Sequence, residues 1–289
     1  MTEKHALAVP AVVGVLGGGR MGAGIAHAFL LAGARVTVVE RDGQAAEAAR
    51  ERIERDLAKS LERGGVDGNL DEWAENLTVS LDHADFADCE LVVEAVPEAW
   101  DLKVSALQEV ERHLAETAWL ATNTSSLSVD GLAEQLGRPE RFCGLHFFNP
   151  VPASKLVEVV NSKHTGEELR KLSVQWVEGL GKTPVVVNDA PGFASSRLGV
   201  AIALEAIRMV EEGVASPADI DNAMVLGYRF PVGPLALTDI VGLDVRLGIA
   251  EYLESRLGPR FAPPQLMRDM VARGELGRKT GKGFFDHEQ

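Results

Sequence analysis

The fold is decided by the stretch Val12-Val-Gly-Val-Leu16, followed at once by Gly17-Gly-Gly19-Arg-Met-Gly22. The apolar run is typical of a buried strand, and residues 25–32 follow it with helical spacing. Gly17, Gly19 and Gly22 match the pattern G-x-G-x-x-G between a strand and a helix. There the first glycine allows a tight turn, the second lets the backbone approach a pyrophosphate, and the third lets the helix pack on the strand. The stretch therefore predicts a Rossmann-like dinucleotide-binding domain.

A second strand-like run ends in a carboxylate that suits a ribose. The run is Arg35-Val-Thr-Val-Val39, and Glu40 follows it directly. An acid at this distance after the glycine pattern would bind the adenosine ribose hydroxyls and would repel a 2′-phosphate. NAD is therefore favoured over NADP, although the neighbouring Arg41 weakens this preference.

Strands and helices alternate as far as about residue 188. Further strand-like runs are expected at 77–81, 91–96, 118–122, around His146, around Glu158 and at 183–187. Helices are expected within 43–76 on either side of Gly64-Gly65, and near 101–115, 128–136 and 167–180. This alternation predicts a doubly wound, mostly parallel sheet in an α/β domain over residues 1–188.

The pattern changes at Asp189, after which no strand-like run remains. Helices are expected at 197–211, after the capping sequence Ser216-Pro-Ala-Asp219, and near 244–257 and 263–273. The sequence thus predicts an all-helical second domain over residues 189–289. Its first helix is nearly apolar all round between Leu198 and Ile207, so it must be buried within the chain or across a subunit interface. A homodimer is one way to bury it.

Composition excludes several classes of partner. The 289 residues carry a formal net charge of −14, which disfavours nucleic acid and anionic membranes. No apolar run approaches the ~20 residues of a membrane span, and Met1-Thr-Glu-Lys-His5 lacks the pattern of an export signal. With only Cys89 and Cys143 present, a disulfide framework is not expected and a cytoplasmic location is. No cluster has metal-ligand spacing, so no metal is predicted.

A lone histidine and a lone carboxylate interrupt two apolar runs. His146 lies in Gly144-Leu-His-Phe-Phe-Asn149-Pro-Val-Pro, and Glu158 in Lys155-Leu-Val-Glu-Val-Val160. An unpaired buried carboxylate costs several kcal/mol or more, so Glu158 is either paired or on a wet face of its strand. If it pairs with His146, it fixes the tautomer that a general base requires. Cys143 is expected to face away from His146, as a small core residue.

Several motifs in fixed order resemble the L-3-hydroxyacyl-CoA dehydrogenase family, including its short 3-hydroxybutyryl-CoA dehydrogenases. Besides the glycine stretch and the runs around His146 and Glu158, they are Val-Val-Glu-Ala-Val-Pro-Glu98, Asn123-Thr-Ser-Ser-Leu, Asp189-Ala-Pro-Gly-Phe and Gly277-Arg-Lys-Thr-Gly-Lys-Gly-Phe. The resemblance covers nearly the whole chain. It implies an NAD-binding domain, a helical domain that commonly mediates dimerisation, and reversible oxidation of a 3-hydroxyacyl thioester to the 3-ketoacyl thioester.

The resemblance also implies roles for single residues. His146 matches the general base, Glu158 its orienting partner, Ser125 the hydroxyl that bonds the reacting oxygen, and Asn149 a residue lining the nicotinamide end. The positions expected to contact the cofactor are Glu40, Glu98, Lys103 and Lys279. The hydroxyl of Ser125 could instead cap the helix near 128–136, and the sequence leaves both readings open.

Two departures from the family bear on the substrate. Ser196 stands where the family has asparagine in Pro-Gly-Phe-x-x-Asn-Arg, and it lacks the amide that would reach a substrate carbonyl. In the helical pair after Glu40, Asp56 and Arg63 stand where relatives offer serine and lysine to CoA; Asp56 would oppose a phosphate. A carrier-protein thioester or a free hydroxy acid is therefore an alternative substrate. A non-catalytic NAD-binding protein is a remote alternative, because Ser125, His146, Asn149 and Glu158 are retained together.

Overall fold

The computed structural model describes residues 9–64, 66 and 68–288. Met1 to His5, where no export signal is expected, and Gly65 of the expected helix break lie outside the described residues. No helix in the described ranges has the length and apolar character needed to cross a bilayer. By contact density the chain divides into two compact units, with the division between Asp189 and Ala190.

The first unit alternates strands and helices, much as its sequence predicts. Its strands are β1 (Val12–Leu16), β2 (Arg35–Val39), β3 (Leu77–Ser80), β4 (Leu91–Glu94), β5 (Trp119–Thr122), β6 (Phe142–Phe147), β7 (Leu156–Asn161) and β8 (Thr183–Asn188). Its helices are α1 (Arg20–Leu31), α2 (Gly43–Glu62), α3 (Leu70–Glu75), α4 (Trp100–His113), α5 (Val129–Ala133) and α6 (Glu167–Gly179). The fourth strand ends earlier than expected, because the amide of Val96 donates to the side chain of Glu94 instead of a neighbouring strand.

The eight strands form one sheet in the order β3-β2-β1-β4-β5-β6-β7-β8. All neighbouring pairs are parallel except β6 and β7, which are antiparallel. The fold is therefore the doubly wound, mostly parallel sheet that the sequence predicts. Parallel strands covered by helices are buried on both faces, and β1, β4 and β6 are accordingly almost entirely buried.

The second unit is built from helices, with two isolated β-bridges, Gly277 to Lys282 and Lys282 to Asp286, near its end. Its helices are α7 (Ser195–Glu211), α8 (Pro217–Asn222), α9 (Pro234–Val241), α10 (Leu243–Leu257) and α11 (Gln265–Ala272). The capping sequence is confirmed, since the Ser216 hydroxyl accepts from the amide of Asp219 at 3.2 Å. Helix α9 is not anticipated by the sequence analysis.

Helix α7 is buried on one face only within this chain. Val200, Leu204 and Ile207 join the core of the second unit, whereas the Leu198 side chain is 63% exposed. The sequence-based expectation that an apolar helix must be covered all round is therefore not met by the single chain. Burial by a second subunit is the alternative that the same expectation allowed.

Candidate active site

The histidine and the carboxylate singled out from the sequence face each other across two neighbouring strands. His146 on β6 is the direct register partner of Glu158 on β7, and Nδ1 of His146 lies 2.8 Å from Oε2 of Glu158. Both residues are buried, and Glu158 is 0% exposed. The reading of Glu158 as an exposed residue on a wet strand face is therefore wrong.

The antiparallel pairing is what brings these two side chains together. Directly opposed residues on antiparallel strands have Cβ atoms about 4.5–5.5 Å apart on the same face, which is within reach of one imidazole–carboxylate bond. A carboxylate only accepts hydrogen bonds, so Nδ1 carries a proton and donates it to Glu158. The bond with Glu158 engages Nδ1, so Nε2 is the ring nitrogen that can exchange a proton with a substrate.

The backbone beyond His146 is held in place by polar contacts. The side chain of Asn123 accepts a hydrogen bond from the amide of Phe147 at 2.8 Å. Asn149 is exposed just past the end of β6. The Lys182 ammonium donates to the carbonyls of Val151 at 2.7 Å and Ser154 at 2.6 Å, and burial lowers its pKa. Together these bonds fix the turn that carries Asn149.

The glycine stretch has the geometry that a pyrophosphate requires. A Cβ on Gly22 would lie 1.7 Å from the carbonyl oxygen of Gly17, so only glycine fits between α1 and the end of β1. A Cβ on Gly19 would meet nothing within 4 Å, which leaves open space above the turn. Helix α1 begins at the next residue and has no side-chain cap. Its uncapped amides can therefore receive an anion, and the residues present fit a dinucleotide.

Glu40 lies beside the glycine turn, as expected of a ribose-binding acid. Its Oε1 accepts from the amide of Gly18 at 2.7 Å, and its Oε2 accepts from the amide of Arg41 at 3.1 Å. Arg52 on α2 donates to the carbonyl of Gly18 at 2.7 Å. The carboxylate is thus anchored to the turn, and because each carboxylate oxygen has two acceptor sites, it can still accept from ribose hydroxyls.

The Glu98 carboxylate accepts several hydrogen bonds from the hydroxyl-rich loop that contains Ser125. Its Oε1 accepts from the Thr124 hydroxyl at 2.6 Å, from the amides of Ser125 and Ser126 at 2.8 and 3.0 Å, and from their hydroxyls at 3.3 and 3.1 Å. Burial alone would raise the pKa of this carboxyl, but Lys103 and the donors of the loop outweigh it, so the pKa lies below the usual 4.5.

The hydroxyl of Ser125 is not the cap of α5. That cap is Ser128, whose hydroxyl accepts from the amide of Gly131 at 3.1 Å. The alternative role left open for Ser125 is therefore wrong, and its hydroxyl stays with Glu98.

A buried ion pair behind this loop was not identified from the sequence. Lys103 donates to Oε1 of Glu94 at 2.7 Å and to the carbonyl of Val96 at 3.1 Å, and lies 3.4 Å from Oε2 of Glu98. The Thr122 hydroxyl donates to the other oxygen of Glu94 at 2.6 Å. Lys103 is 1% exposed, so its ammonium acts through these carboxylates. The sequence does carry one signal for this ion pair, because Glu94 is a lone acid that ends the apolar run Leu91-Val-Val-Glu94.

Cys143 does not form a nucleophile with the nearby histidine. It is fully buried on β6, and burial raises the pKa of its thiol to about 12. A nucleophilic cysteine requires the opposite shift, so Cys143 is the core residue that strand alternation predicts.

The remaining expected site residues lie elsewhere in the chain. Arg63 is exposed at the end of α2, and Asp56 lies two turns before it. In the second unit, Ser196 is the second residue of α7, and the Lys279 ammonium lies 2.5 Å from both carboxylate oxygens of Asp244. Their contacts with cofactor or substrate stay predictions.

Comparison with known proteins gives one coherent result. Residues 12–190 match the family model for the 3-hydroxyacyl-CoA dehydrogenase NAD binding domain, and residues 192–287 match the C-terminal domain of the same family. The chain is 40% identical over 275 residues to a probable 3-hydroxybutyryl-CoA dehydrogenase of Deinococcus radiodurans, covering 95% of this chain and 99% of that protein. It is also 40% identical over 279 residues to the 3-hydroxybutyryl-CoA dehydrogenase of Mycobacterium tuberculosis, covering 95% and 98%.

A solved structure shows the same likeness in three dimensions. The (S)-3-hydroxybutyryl-CoA dehydrogenase of Ralstonia eutropha superimposes with a TM-score of 0.93 at 35% identity. The match covers 97% of this chain and 100% of that one. The likeness therefore extends over both units and is not confined to the dinucleotide-binding fold.

Proposed function

The chain belongs to the 3-hydroxyacyl-CoA dehydrogenase family, and on that premise we propose that it is an NAD-dependent oxidoreductase acting on acyl thioesters. Its reaction is the interconversion of an L-3-hydroxyacyl-CoA and the 3-ketoacyl-CoA. The observation that carries the proposal is the buried bond of 2.8 Å between Nδ1 of His146 and Oε2 of Glu158. It fixes the imidazole through Nδ1 and assigns proton transfer to Nε2, and removal of a proton from an alcohol requires such a positioned base.

His146 acts as the general base in the oxidative direction. Its Nε2 takes the proton of the 3-hydroxyl group while the hydride on C3 leaves, and the same nitrogen returns the proton during reduction. Glu158 stabilises the positive charge that develops on the ring, because it is buried and already bonded to Nδ1. NAD, when bound, supplies the acceptor for the hydride.

Ser125 contacts the reacting oxygen of the substrate, and Asn149 lies at the nicotinamide end of the site. The Ser125 hydroxyl turns from Glu98 and donates to the substrate oxygen as that oxygen gains carbonyl character, while Glu98 keeps the backbone amide of Ser125 in position. Asn149 lines the nicotinamide end of the site. Gly17, Gly19 and Gly22 admit the pyrophosphate, and Glu40 binds the adenosine ribose. Lys103 positions Glu98 in this scheme, and Lys279 is a further residue that contacts the cofactor.

The primary test compares one variant with a matched control. In His146→Ala we expect NADH oxidation with acetoacetyl-CoA to fall by about 10²–10⁴-fold, because general-base catalysis is removed. NADH binding, measured by fluorescence titration, should change little. His113→Ala serves as the control, since His113 lies at the end of α4 and contacts Glu109. Equal turnover in both variants would contradict the role of His146.

The carrier of the acyl group is tested on the wild-type protein. Acetoacetyl-CoA, free acetoacetate and an acetoacetyl carrier protein are offered side by side with NADH. We expect the CoA thioester to be the best substrate, with Arg63 contributing charge toward CoA phosphates. A preference for the carrier-protein thioester or for the free acid would identify that compound as the substrate instead of the CoA thioester. NADH binding without turnover of any of them would favour a non-catalytic protein.

Three broader assignments belong to the same proposal. Residues 1–188 form the NAD-binding domain, and residues 189–289 form a substrate and dimerisation domain, so the protein acts as a homodimer. Cys89 and Cys143 are both buried and free, which suits a reducing cytoplasm. The reaction class belongs to fatty acid metabolism.

A further inference from the structure

One ammonium group holds the loop that joins the two strands of the proposed catalytic pair. Residues 148–155 connect β6 with β7, the strands on which the imidazole and its carboxylate lie. The Lys182 ammonium donates to two carbonyls of this loop, that of Val151 at 2.7 Å and that of Ser154 at 2.6 Å. The loop has eight residues, whereas hairpin loops usually have about two to five. A loop of this length specifies the register of its strands less strictly than a tight turn does.

The backbone around Lys182 is itself anchored to the neighbouring elements. The amide of Lys182 donates to the carbonyl of Val177 in α6 at 3.1 Å. The amide of Thr183, the first residue of β8, donates to the carbonyl of Lys155 at 2.6 Å, directly before β7 begins. The ammonium therefore ties the middle of the loop to a frame that α6 and β8 hold in place.

The contacts of Lys182 differ from those of the paired lysines. Within the described residues, four lysines form ion pairs with carboxylates: Lys103, Lys163, Lys279 and Lys282. Lys182 forms none there, and its ammonium donates to backbone carbonyls instead. Burial lowers its pKa, so the charged form is kept in a partly desolvated place by carbonyl dipoles. Such an arrangement points to a role in fixing the two carbonyls.

Two contacts connect this loop with the catalytic pair. Phe148 is the first residue of the loop, and its ring packs on His146 with the ring centroids 4.4 Å apart. The Val151 side chain is 2% exposed and belongs to the same core cluster as Leu145 and Val157. Those two residues are the sequence neighbours of the imidazole on β6 and of the carboxylate on β7. A shift of the loop would therefore reach both members of the pair.

We propose that Lys182 is a positioning residue for proton transfer: by holding the loop, it keeps Nδ1 of His146 bonded to Glu158 and the ring in the orientation in which Nε2 takes the proton. This inference rests on the proposed function, in which that imidazole is the general base. A misplacement of about 1 Å can lower a rate by about 10²-fold. A loosened loop should therefore lower kcat although every reacting group is still present.

The experiment is a double-mutant cycle on the whole protein, with NADH oxidation by acetoacetyl-CoA as the measurement. Its members are the wild type, Lys182→Met, Glu158→Gln and the double variant. Lys182→Arg keeps the charge and the donors, and Lys171→Met, which removes an exposed lysine of α6, is the control. The proton on Nδ1 of His146 is followed by proton NMR and assigned by its absence from His146→Ala.

We expect Lys182→Met to lower kcat by about 10–10²-fold while the KM for NADH changes by less than about threefold. In the Glu158→Gln background the same change should lower kcat by less than about twofold, because the carboxylate that benefits from the positioning is already absent. Lys182→Arg should recover most of the loss. The Nδ1 proton resonance should shift or broaden in Lys182→Met and stay as in the wild type in the control.

Other outcomes overturn the inference in distinguishable ways. A Lys182→Met enzyme with the kcat of the control would refute it. An equal loss in both backgrounds would show that Lys182 acts independently of Glu158, and a loss confined to KM would make it a binding residue; either result would refute the positioning role. If Lys182→Met does not fold, Lys182→Gln, which keeps an amide donor, takes its place in the cycle under the same criteria. A wild type that turns over no thioester, but whose Nδ1 resonance still depends on Lys182, would refute the proposed function and keep the positioning of the pair.

Discussion

At the residue scale, the proposed chemistry depends on the negative charge of Glu158, whose partner the sequence could indicate but not fix. Glu158 stands out because a carboxylate in a β-branched run must find a partner. Whether that partner is His146 depends on strand direction, which residue patterns do not reveal. The antiparallel pairing of β6 and β7 within an otherwise parallel sheet settles it by placing the two residues directly opposite each other.

The first prediction concerns the charge on Glu158. Glu158→Gln keeps the size of the side chain and an acceptor for Nδ1, but it removes the negative charge that stabilises the imidazolium. We expect kcat with acetoacetyl-CoA to fall by about 10²–10⁴-fold, as when a histidine loses its carboxylate partner in other enzymes. Circular dichroism and NADH binding should stay near wild type.

The matched control for this change is Glu111→Gln. Glu111 is a half-buried carboxylate of the same unit that holds the amides of Gly137 and Arg138, away from His146. We expect its turnover to be that of the wild type. A Glu158→Gln enzyme as active as this control would show that the carboxylate charge does not assist catalysis.

The second prediction concerns the pH dependence of stability at Glu98. Its folded-state pKa lies below 4.5, so its carboxylate contributes stability that is complete above that value. The contribution is lost as pH falls through the lower folded pKa. The difference in the free energy of unfolding between wild type and Glu98→Gln should therefore be constant near neutrality and shrink below pH 4.5. Urea denaturation at several pH values measures it, and a difference that grows in acid would contradict the shift.

Glu94 shows what sequence reasoning passes over at this scale. It is a lone acid ending an apolar run, as Glu158 is a lone acid within one, but the sequence has no histidine near it as an evident partner. The family resemblance implies that its partner Lys103 contacts the cofactor. Only the fold shows that helix α4 returns Lys103 to the end of β4, where its ammonium donates a hydrogen bond to Glu94.

At the scale of elements, the sequence predicts an element correctly where nearby residues determine it. The turn from β1 to α1 could be predicted because three glycines within six residues specify it. Helix α9 could not, because its cap comes from far along the chain: the Asp221 carboxylate accepts from the amides of Leu235 and Ala236. A helix of eight residues with a distant cap leaves little periodic pattern to detect.

The third prediction separates two glycines of that turn. Gly22→Ala places a Cβ against the backbone oxygen of Gly17, so we expect a loss of about 1–3 kcal/mol in the free energy of unfolding together with weaker NADH binding. Gly19→Ala has open space, so it should weaken NADH binding with little loss of stability.

Thermal unfolding and NADH titration distinguish the two effects. Gly43→Ala is the control, since a Cβ there meets nothing and Gly43 opens α2 away from the turn. It should leave both quantities near wild type. If Gly22→Ala proves as stable as Gly43→Ala, the close contact of α1 with the end of β1 does not limit the residue at 22.

At the scale of the whole molecule, the two units differ in how much apolar surface they leave uncovered. The second unit is the smaller, yet it carries eight of the fourteen large hydrophobic side chains that are exposed in the described chain: Leu198, Val214, Leu226, Tyr228, Leu237, Ile240, Val241 and Val245. Extended exposed apolar patches mark interaction surfaces in soluble proteins. The sequence could predict that α7 needs a cover, but not that its own chain covers one face only.

The fourth prediction is that this surface holds the homodimer together. Leu226 is 78% exposed, and a charge placed there would be buried and unpaired if a second subunit covers it. Leu226→Glu should therefore shift the protein from dimer toward monomer in light scattering coupled to size-exclusion chromatography.

The control is Leu81→Glu, at a side chain of the first unit that is 53% exposed. If the surface around Leu81 is solvated, the added charge there should change neither mass nor stability by much. A Leu226→Glu protein that keeps the mass of two chains would remove this residue from the interface, and a wild type with the mass of one chain would refute the homodimer outright.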